Sequence, residues 1–253
     1  MRVDAVIPVR MGSSRYPGKP LVDIEGFSMV EHVYRRTKRS DVVDGTYVAT
    51  PDEEIREEAE SFGAEVIVTG EHSRATDRVA EAAESLEGDI VIVMQGDEPL
   101  VYPEMIDAAV EPMLEDDSID CVNLGKELES EAAFRDPNTV KVVVDGDWEA
   151  LYFSREPIPN LHDTTFEDTA VYKQVCVLPF RREALFEFTS MAETPLERAE
   201  SIDMLRLLEN GRTVQIVETD RTIHAVDTPE DHERVNEMMA TDELYLDYAD
   251  DAK

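Results

Sequence analysis

The segment Asp89–Met94, DIVIVM, constrains the fold more than any other. It is apolar on both faces that a strand would present, so it must be covered on both sides, as strands of a parallel sheet are. Its surroundings repeat the arrangement. Val3–Val9 reads as a second buried strand, followed by a long loop to about Pro20. Ser28 can cap a helix reaching about Arg39, and Thr46–Thr50 reads as a short strand. Asp52 can cap the acidic helix EEIREEAESF, which Gly63 stops. A strand at Glu65–Val68, helical spacing over Thr76–Leu86 and a helix over Pro103–Leu114 continue the series. The alternation predicts an α/β fold with a mainly parallel sheet flanked by helices.

From about Asp120 the pattern changes. Asp120–Leu124, Thr139–Val144, Ala150–Phe153 and Val171–Leu178 are expected strands with few helices between them, which predicts an inserted, partly antiparallel lobe at about 120–195. Helices are expected near Arg181–Thr189 and Leu196–Glu209, then strands at Val214–Val217 and Thr222–His224. A last helix starts at Pro229 behind a Thr228 cap. Residues 1–241 read as one domain carrying the lobe, and the acidic tail 242–253 is expected to fray.

Charge narrows the partners. With 58 Asp+Glu against 24 Lys+Arg, the net charge is −34, so nucleic acid and anionic membrane surfaces are repelled. Only six of the cations are Lys. An acidic, Lys-poor but well-patterned chain is expected in a salt-rich, halophilic cytoplasm, where screening suppresses self-repulsion. No apolar run is long enough for a signal peptide or a membrane span, so the expected location is cytoplasmic. Cys121 and Cys176 sit in apolar runs without a metal or redox spacing and read as buried hydrophobes.

The first twenty residues reverse the charge. Arg2, Arg10, Arg15 and Lys19 against Asp4 make +3, so the other 233 residues carry −37. Three of the cations fall in the loop after the first strand, Arg10-Met-Gly-Ser-Ser-Arg-Tyr-Pro-Gly-Lys-Pro20. That loop leaves the carboxyl edge of the sheet, where α/β proteins bind ligands, and Gly12 and Gly18 let a backbone approach closely. Cations so placed suit a polyphosphate. The loop is not a P-loop, since five residues separate its glycines and Pro20 follows Lys19; nor is it a dinucleotide fingerprint. Asp97, in Gln95-Gly-Asp-Glu-Pro-Leu100 directly after DIVIVM, is placed to hold a divalent cation over the sheet edge. Asp227, in AVDTPED, reads on its own as an acidic turn or a helix cap.

Together these segments resemble the 3-deoxy-manno-octulosonate (KDO) cytidylyltransferases, relatives of the CMP-sialic acid synthetases. The resemblance is carried by IPVRMGSSRYPGKPLVDI at 7–24, RATDRVAEA at 74–82, VMQGDEPLV at 93–101 and DPNTVKVVVD at 136–145. ALYFSREPIP at 150–159, TPLERAE at 194–200 and VDTPEDHERV at 226–235 complete it. It implies a Rossmann-like nucleotide-binding domain whose inserted lobe forms a homodimer. It implies a Mg²⁺-dependent enzyme of polysaccharide biosynthesis that moves CMP from CTP to the anomeric hydroxyl of an acidic 2-keto sugar. The nucleotide would be held by Arg10, Gly12, Ser13, Arg15, Lys19, Arg74 and Gln95, with the cytosine read mainly by backbone. Arg15, Lys19 and Asp97 would carry catalysis, and Asp97 and Asp227 match the metal-binding aspartates. Arg78 and Arg155 match positions near the acceptor.

Two departures fall where the family's sugar pocket lies. Gln174 stands in place of a histidine, and Asp203-Met204 in place of a Glu-Gln pair. A methionine cannot replace the hydrogen bonds of an amide, so these changes predict an acceptor other than KDO itself. In the implied reaction the sugar hydroxyl attacks the α-phosphorus of CTP in line and pyrophosphate leaves, with positioning and charge neutralisation as the protein's task. None of His32, His72, His162, His224 and His232 lies in a site motif as a general base. Two alternatives share parts of the pattern. A cytidylyltransferase of surface-polysaccharide pathways has a similar first loop and another acceptor. A nucleotide-sugar-dependent glycosyltransferase would need a DxD motif, for which only Asp145-Gly-Asp147 offers itself, and that reads as a hairpin turn.

Overall fold

The apolar runs do what their composition requires. In the computed structural model, which describes residues 1–13 and 15–251, the chain begins with β1 (Val3–Pro8), a 3-10 turn (Lys19–Leu21), β2 (Asp23–Ile24) and β3 (Phe27–Ser28). Then follow α1 (Met29–Thr37), β4 (Gly45–Thr50), α2 (Glu53–Ser61), β5 (Glu65–Val68), α3 (Ala75–Ala83), β6 (Ile90–Met94) and α4 (Pro103–Glu115). Next come β7 (Val122–Glu127), α5 (Glu131–Arg135), β8 (Lys141–Val144), β9 (Ala150–Ser154), β10 (Tyr172–Val175) and β11 (Val177–Arg181). The chain ends with α6 (Arg182–Ser190), α7 (Pro195–Glu200), α8 (Met204–Glu209), β12 (Gln215–Glu218), α9 (Pro229–Met239) and α10 (Glu243–Asp251). These elements form two compact units, Met1–Asp107 with Ile223–Lys253, and Ala108–Thr222. The lobe expected at about 120–195 falls within the second of these units. No helix among the described residues is long and apolar enough to cross a membrane.

In the first unit β6, β1, β4 and β5 lie side by side in that order, all parallel. Every residue of β1 and of β6 is buried. Val3 pairs with Ile90 and Val6 with Val93, so the two strands end together and release their loops at one edge. Thr228 caps α9 as expected, within a capping box with Asp231. Asp52 occupies the N-cap of α2 but makes no side-chain cap bond; its carboxylate instead accepts from the Met11 backbone N–H at 2.8 Å. The expected strand at Thr222–His224 does not form.

Of the tail expected to fray, Glu243–Asp251 form a packed helix, and 252–253 lie outside the described residues. Tyr248 of α10 is fully buried, and its hydroxyl lies 2.5 Å from His32 Nδ1. His32 Nε2 lies 2.7 Å from the Ile24 carbonyl, so Nε2–H donates and Nδ1 accepts from the tyrosine. Arg36, equally buried, pairs with Asp242. Apolar and aromatic contact, with every polar tip bonded, outweighs the acidity that argued for disorder. Burial pushes His32 down to about 4 from its ordinary 6.5. Between those values the unfolded chain binds the extra proton, so this stability is present above pH 6.5 and is lost as pH falls toward 4. Across that window wild type should lose on the order of 3 kcal/mol more than His32→Gln, read from urea melts at fixed pH.

The second unit contains a mixed sheet ordered β12, β7, β10, β8, β9. The β7–β10, β10–β8 and β8–β9 pairs are antiparallel, and β12–β7 is parallel. The expected strand Val171–Leu178 divides at Cys176, and the expected helix Leu196–Glu209 divides at Ser201, whose φ of 55° is left-handed. Buried Arg206 spans that break, donating twice to Glu197 at 2.8 and 2.6 Å and stacking on Phe188. Asp145–Asp147 turn the β8–β9 hairpin, with Asp145 Oδ1 accepting from the N–H groups of Asp147 and Glu149. An aspartate spent on its own turn is not a metal-binding DxD acid.

Candidate active site

The loops leaving β1 and β6 enclose a cavity of about 320 Å³, lined by Arg10, Gly12, Ser13, Arg15 and Lys19 from the first and by Gln95, Gly96 and Asp97 from the second. Asp227 and Met29 complete it. Gly96 is required there. A Cβ at that position would stand 2.3 Å from Val9 Cγ1 and 3.2 Å from the Pro8 carbonyl, so only glycine lets the two strand ends close up. The Met11 carbonyl accepts from Ser13 N–H at 2.9 Å and from Gly18 N–H at 3.1 Å, folding the loop back on itself; Gly18, at φ 76°, takes the left-handed turn.

Lys19 is the hub. Its ammonium donates to Asp97 Oδ2 at 2.7 Å, to Asp227 Oδ1 at 3.2 Å and to the Val226 carbonyl at 3.0 Å. Arg15 Nη2 reaches the same Asp227 oxygen at 3.0 Å. A backbone bond from Val226 N–H to the Asp97 carbonyl, 2.9 Å, joins the two acidic segments directly. Burial pulls the Lys19 ammonium down, but Asp97 and then Asp227 outweigh it, and its pKa lies above the ordinary value. The two aspartates read as metal ligands are therefore brought together, 130 residues apart in sequence, around one positive charge.

A second cavity of about 250 Å³ adjoins through Pro8, Val9, Arg10, Gln95 and Asp97 and adds His72, Ser73, Arg74 and Arg78. Arg78 is buried, with Nη1 donating to Thr69 Oγ1 at 2.6 Å and to the Gly70 carbonyl at 3.0 Å; its Nη2 is buried with no hydrogen-bond partner. Burial holds this guanidinium below its usual pKa. Arg10 Nη1 donates to the His72 carbonyl at 3.1 Å, and His72 Nε2 lies 2.5 Å from Glu81. The sequence motifs missed His72. Its only signal is that it stands two residues before Arg74.

The other expected acceptor residues lie in the second unit. Arg155 has Nε on the Glu200 carbonyl at 2.8 Å, Nη1 on Pro137 at 3.2 Å and Nη2 on Ser201 at 3.5 Å. Backbone carbonyls thus engage all three guanidinium nitrogens, and each Nη keeps a second N–H. Lys141, fully buried, works beside it, donating to the carbonyls of Asp136, Thr139 and Arg155. Gln174 is half-buried and donates to Asn123 Oδ1 at 2.6 Å. Asn123 spends both amide hydrogens on the Leu124 and Val175 carbonyls, so it is left to accept from Gln174 and not to donate to it. Asp203 stands half-buried at the start of α8, and the adjacent Met204 is fully buried. A side chain inside the core cannot select a sugar hydroxyl, which removes half of the argument against KDO.

Comparison with known proteins agrees with this arrangement. The model of the cytidylyltransferase family matches residues 5–219. A 3-deoxy-manno-octulosonate cytidylyltransferase of Geobacter metallireducens is 43% identical over 250 residues, covering 95% of this chain and 98% of that protein. The solved structure of a CMP:2-keto-3-deoxy-manno-octonic acid synthetase complexed with CTP superposes with a TM-score of 0.90 at 37% identity, covering 95% of this chain and 99% of the other. A cytidylyltransferase structure from Leptospira borgpetersenii, 19% identical with a TM-score of 0.65, shares the fold. The cations and carboxylates at the sheet edge thus belong to a nucleotidyltransferase of α/β fold, and the chain is a member of the cytidylyltransferase family, within its 3-deoxy-manno-octulosonate cytidylyltransferase group.

Proposed function

We propose that the chain transfers CMP from CTP to the anomeric hydroxyl of 3-deoxy-manno-octulosonate, releasing pyrophosphate. The observation that carries this reading is the meeting of Arg10, Arg15 and Lys19 with Asp97 and Asp227 around one cavity in a chain of net charge −34. Cations gathered at a strand end of so acidic a protein give it a local field that favours an anionic ligand. The relatives named above support the acceptor.

Mg²⁺ fits the donor set. Two hard carboxylate oxygens converge on the point that the Lys19 ammonium now holds, and no group of three or more ligating side chains exists among the described residues. That suits a cation that takes one or two carboxylates and completes its shell with water and phosphate oxygens. Asp97 and Asp227 would hold it, and once bound it would offset phosphate charge and acidify the attacking hydroxyl. Lys19 and Arg15 would then turn to the phosphates and neutralise the charge that develops on departing pyrophosphate. The backbone of the loop after β1 would read the cytosine. Arg10, Arg74 and Gln95 would frame the nucleotide, while Arg78 offers its unused Nη2 to a substrate oxygen. Gln174 and Asp203 would help to hold the sugar acid.

A homodimer built on the second unit and a salt-rich cytoplasm belong to the same reading. Leu151 is 61% exposed on β9, which closes one end of the second unit's sheet order, and the acidic surface suits high salt. The test is a ranking of kcat/KM for KDO, sialic-type acids and their deoxy relatives with CTP, Mg²⁺ and high salt. KDO is expected first. A different winner would keep the reaction and change the acceptor, whereas no transfer to any 2-keto sugar acid would end the proposal.

A further inference from the structure

Two side chains of α9, one turn apart, fasten it to the β2–β3 hairpin. Asn236 Oδ1 accepts from the Glu25 backbone N–H at 2.9 Å, and its Nδ2 donates to Glu25 Oε1 at 3.1 Å. His232 Nε2 lies 2.7 Å from the Asp23 carbonyl. A carbonyl oxygen only accepts, so Nε2 carries the hydrogen, and in the neutral ring Nδ1 then offers a lone pair. That lone pair faces the Tyr16 hydroxyl at 3.0 Å, with the two rings 5.9 Å apart. Tyr16 follows Arg15 directly and is itself tied into the loop. Its N–H donates to Ser13 Oγ at 3.3 Å and its carbonyl accepts from Lys19 N–H at 3.2 Å. At the other end of the link, α9 begins two residues after Asp227.

We propose that Tyr16 and His232 are a positioning pair, which holds the loop bearing Arg15 and Lys19 in register with Asp227 and α9. The proposal rests on the reading of that loop as the triphosphate cradle. Neither residue lines the cavity, so neither is catalytic. Their work is to order the loop before the nucleotide arrives, so that binding does not have to supply that ordering. His232 suits the task because its two ring nitrogens bond two separate segments at once. Both bonds are local, and the rest of α9 is held independently by its capping box and by Asn236.

The experiment compares Tyr16→Phe, His232→Leu, the double variant and His232→Gln, with Arg15→Ala as a control on the cradle. CTP affinity is read by calorimetry with Mg²⁺, alongside KM, kcat and Tm. Tyr16→Phe is expected to raise the CTP Kd and KM roughly five-fold, the worth of one neutral hydrogen bond, and His232→Leu, which also loses the bond to the Asp23 carbonyl, at least as much. The change in kcat should stay within about two-fold, and Tm should hold within a few degrees, because both residues are only half-buried. The double variant should be no worse than His232→Leu alone. His232→Gln, which keeps one donor and one acceptor, should recover most of the affinity. If Arg15→Ala loses CTP while Tyr16→Phe binds normally, or if the two single effects multiply in the double variant, the pair does not position the loop. If Arg15→Ala also binds CTP normally, the cradle is wrong and the pair has nothing to position.

Discussion

Asp97→Asn is expected to lower kcat by about 10³-fold or more while leaving the protein folded. The change keeps the side chain's volume and its place at the end of β6. It removes one of the two carboxylates that, among the described residues, converge on the Lys19 ammonium. Losing a preorganised charge at a site of this kind costs several kcal/mol of transition-state stabilisation, which is three or more decades in rate. Folding should tolerate the change because Asp97 is partly exposed, and its backbone carbonyl, which accepts from Val226, is untouched. Chelation should act in the same direction, so wild type treated with EDTA should fall to a comparable rate. Wild-type rates in EDTA, or an Asn variant within about tenfold of wild type, would remove Asp97 from the metal site.

Lys19→Ala is expected to move two affinities in opposite directions. CTP should bind about 100-fold more weakly, because a half-buried ammonium contributes a charge-assisted contact to phosphate that no neighbouring Lys can replace. Mg²⁺, titrated into the nucleotide-free protein, should bind more tightly, because Asp97 and Asp227 lose the cation that now neutralises them. Arg15 cannot compensate, since it reaches only Asp227 and is mostly exposed. Calorimetry with each ligand separately reads both changes. A variant that loses CTP without gaining Mg²⁺ would show that the carboxylates do not share a cation site with Lys19. A variant that binds CTP normally would show that the loop is not the triphosphate cradle.

Much of this molecule is written in local pattern. DIVIVM and Val3–Val9 read as buried strands, and their alternation with helices pointed to parallel pairing, as β1 and β6 show. The contrast between +3 in the first twenty residues and −37 in the rest picked out the loop, since charge needs no knowledge of tertiary contacts. The motifs identified Asp97 and Asp227. The sequence could not show that one lysine stands between them, because residues 19, 97 and 227 meet only after three separate segments are folded onto the sheet edge. Where the outcome depended on packing partners, sequence reading went astray. The acidic tail became a helix because Tyr248 found a buried histidine in α1. The helix over 196–209 broke at Ser201, with a buried Arg206–Glu197 pair holding its two halves. Met204 looked like a specificity change until burial placed it in the core. A residue's chemistry is legible in the chain, but which partner satisfies it is decided only by the contacts of the folded state.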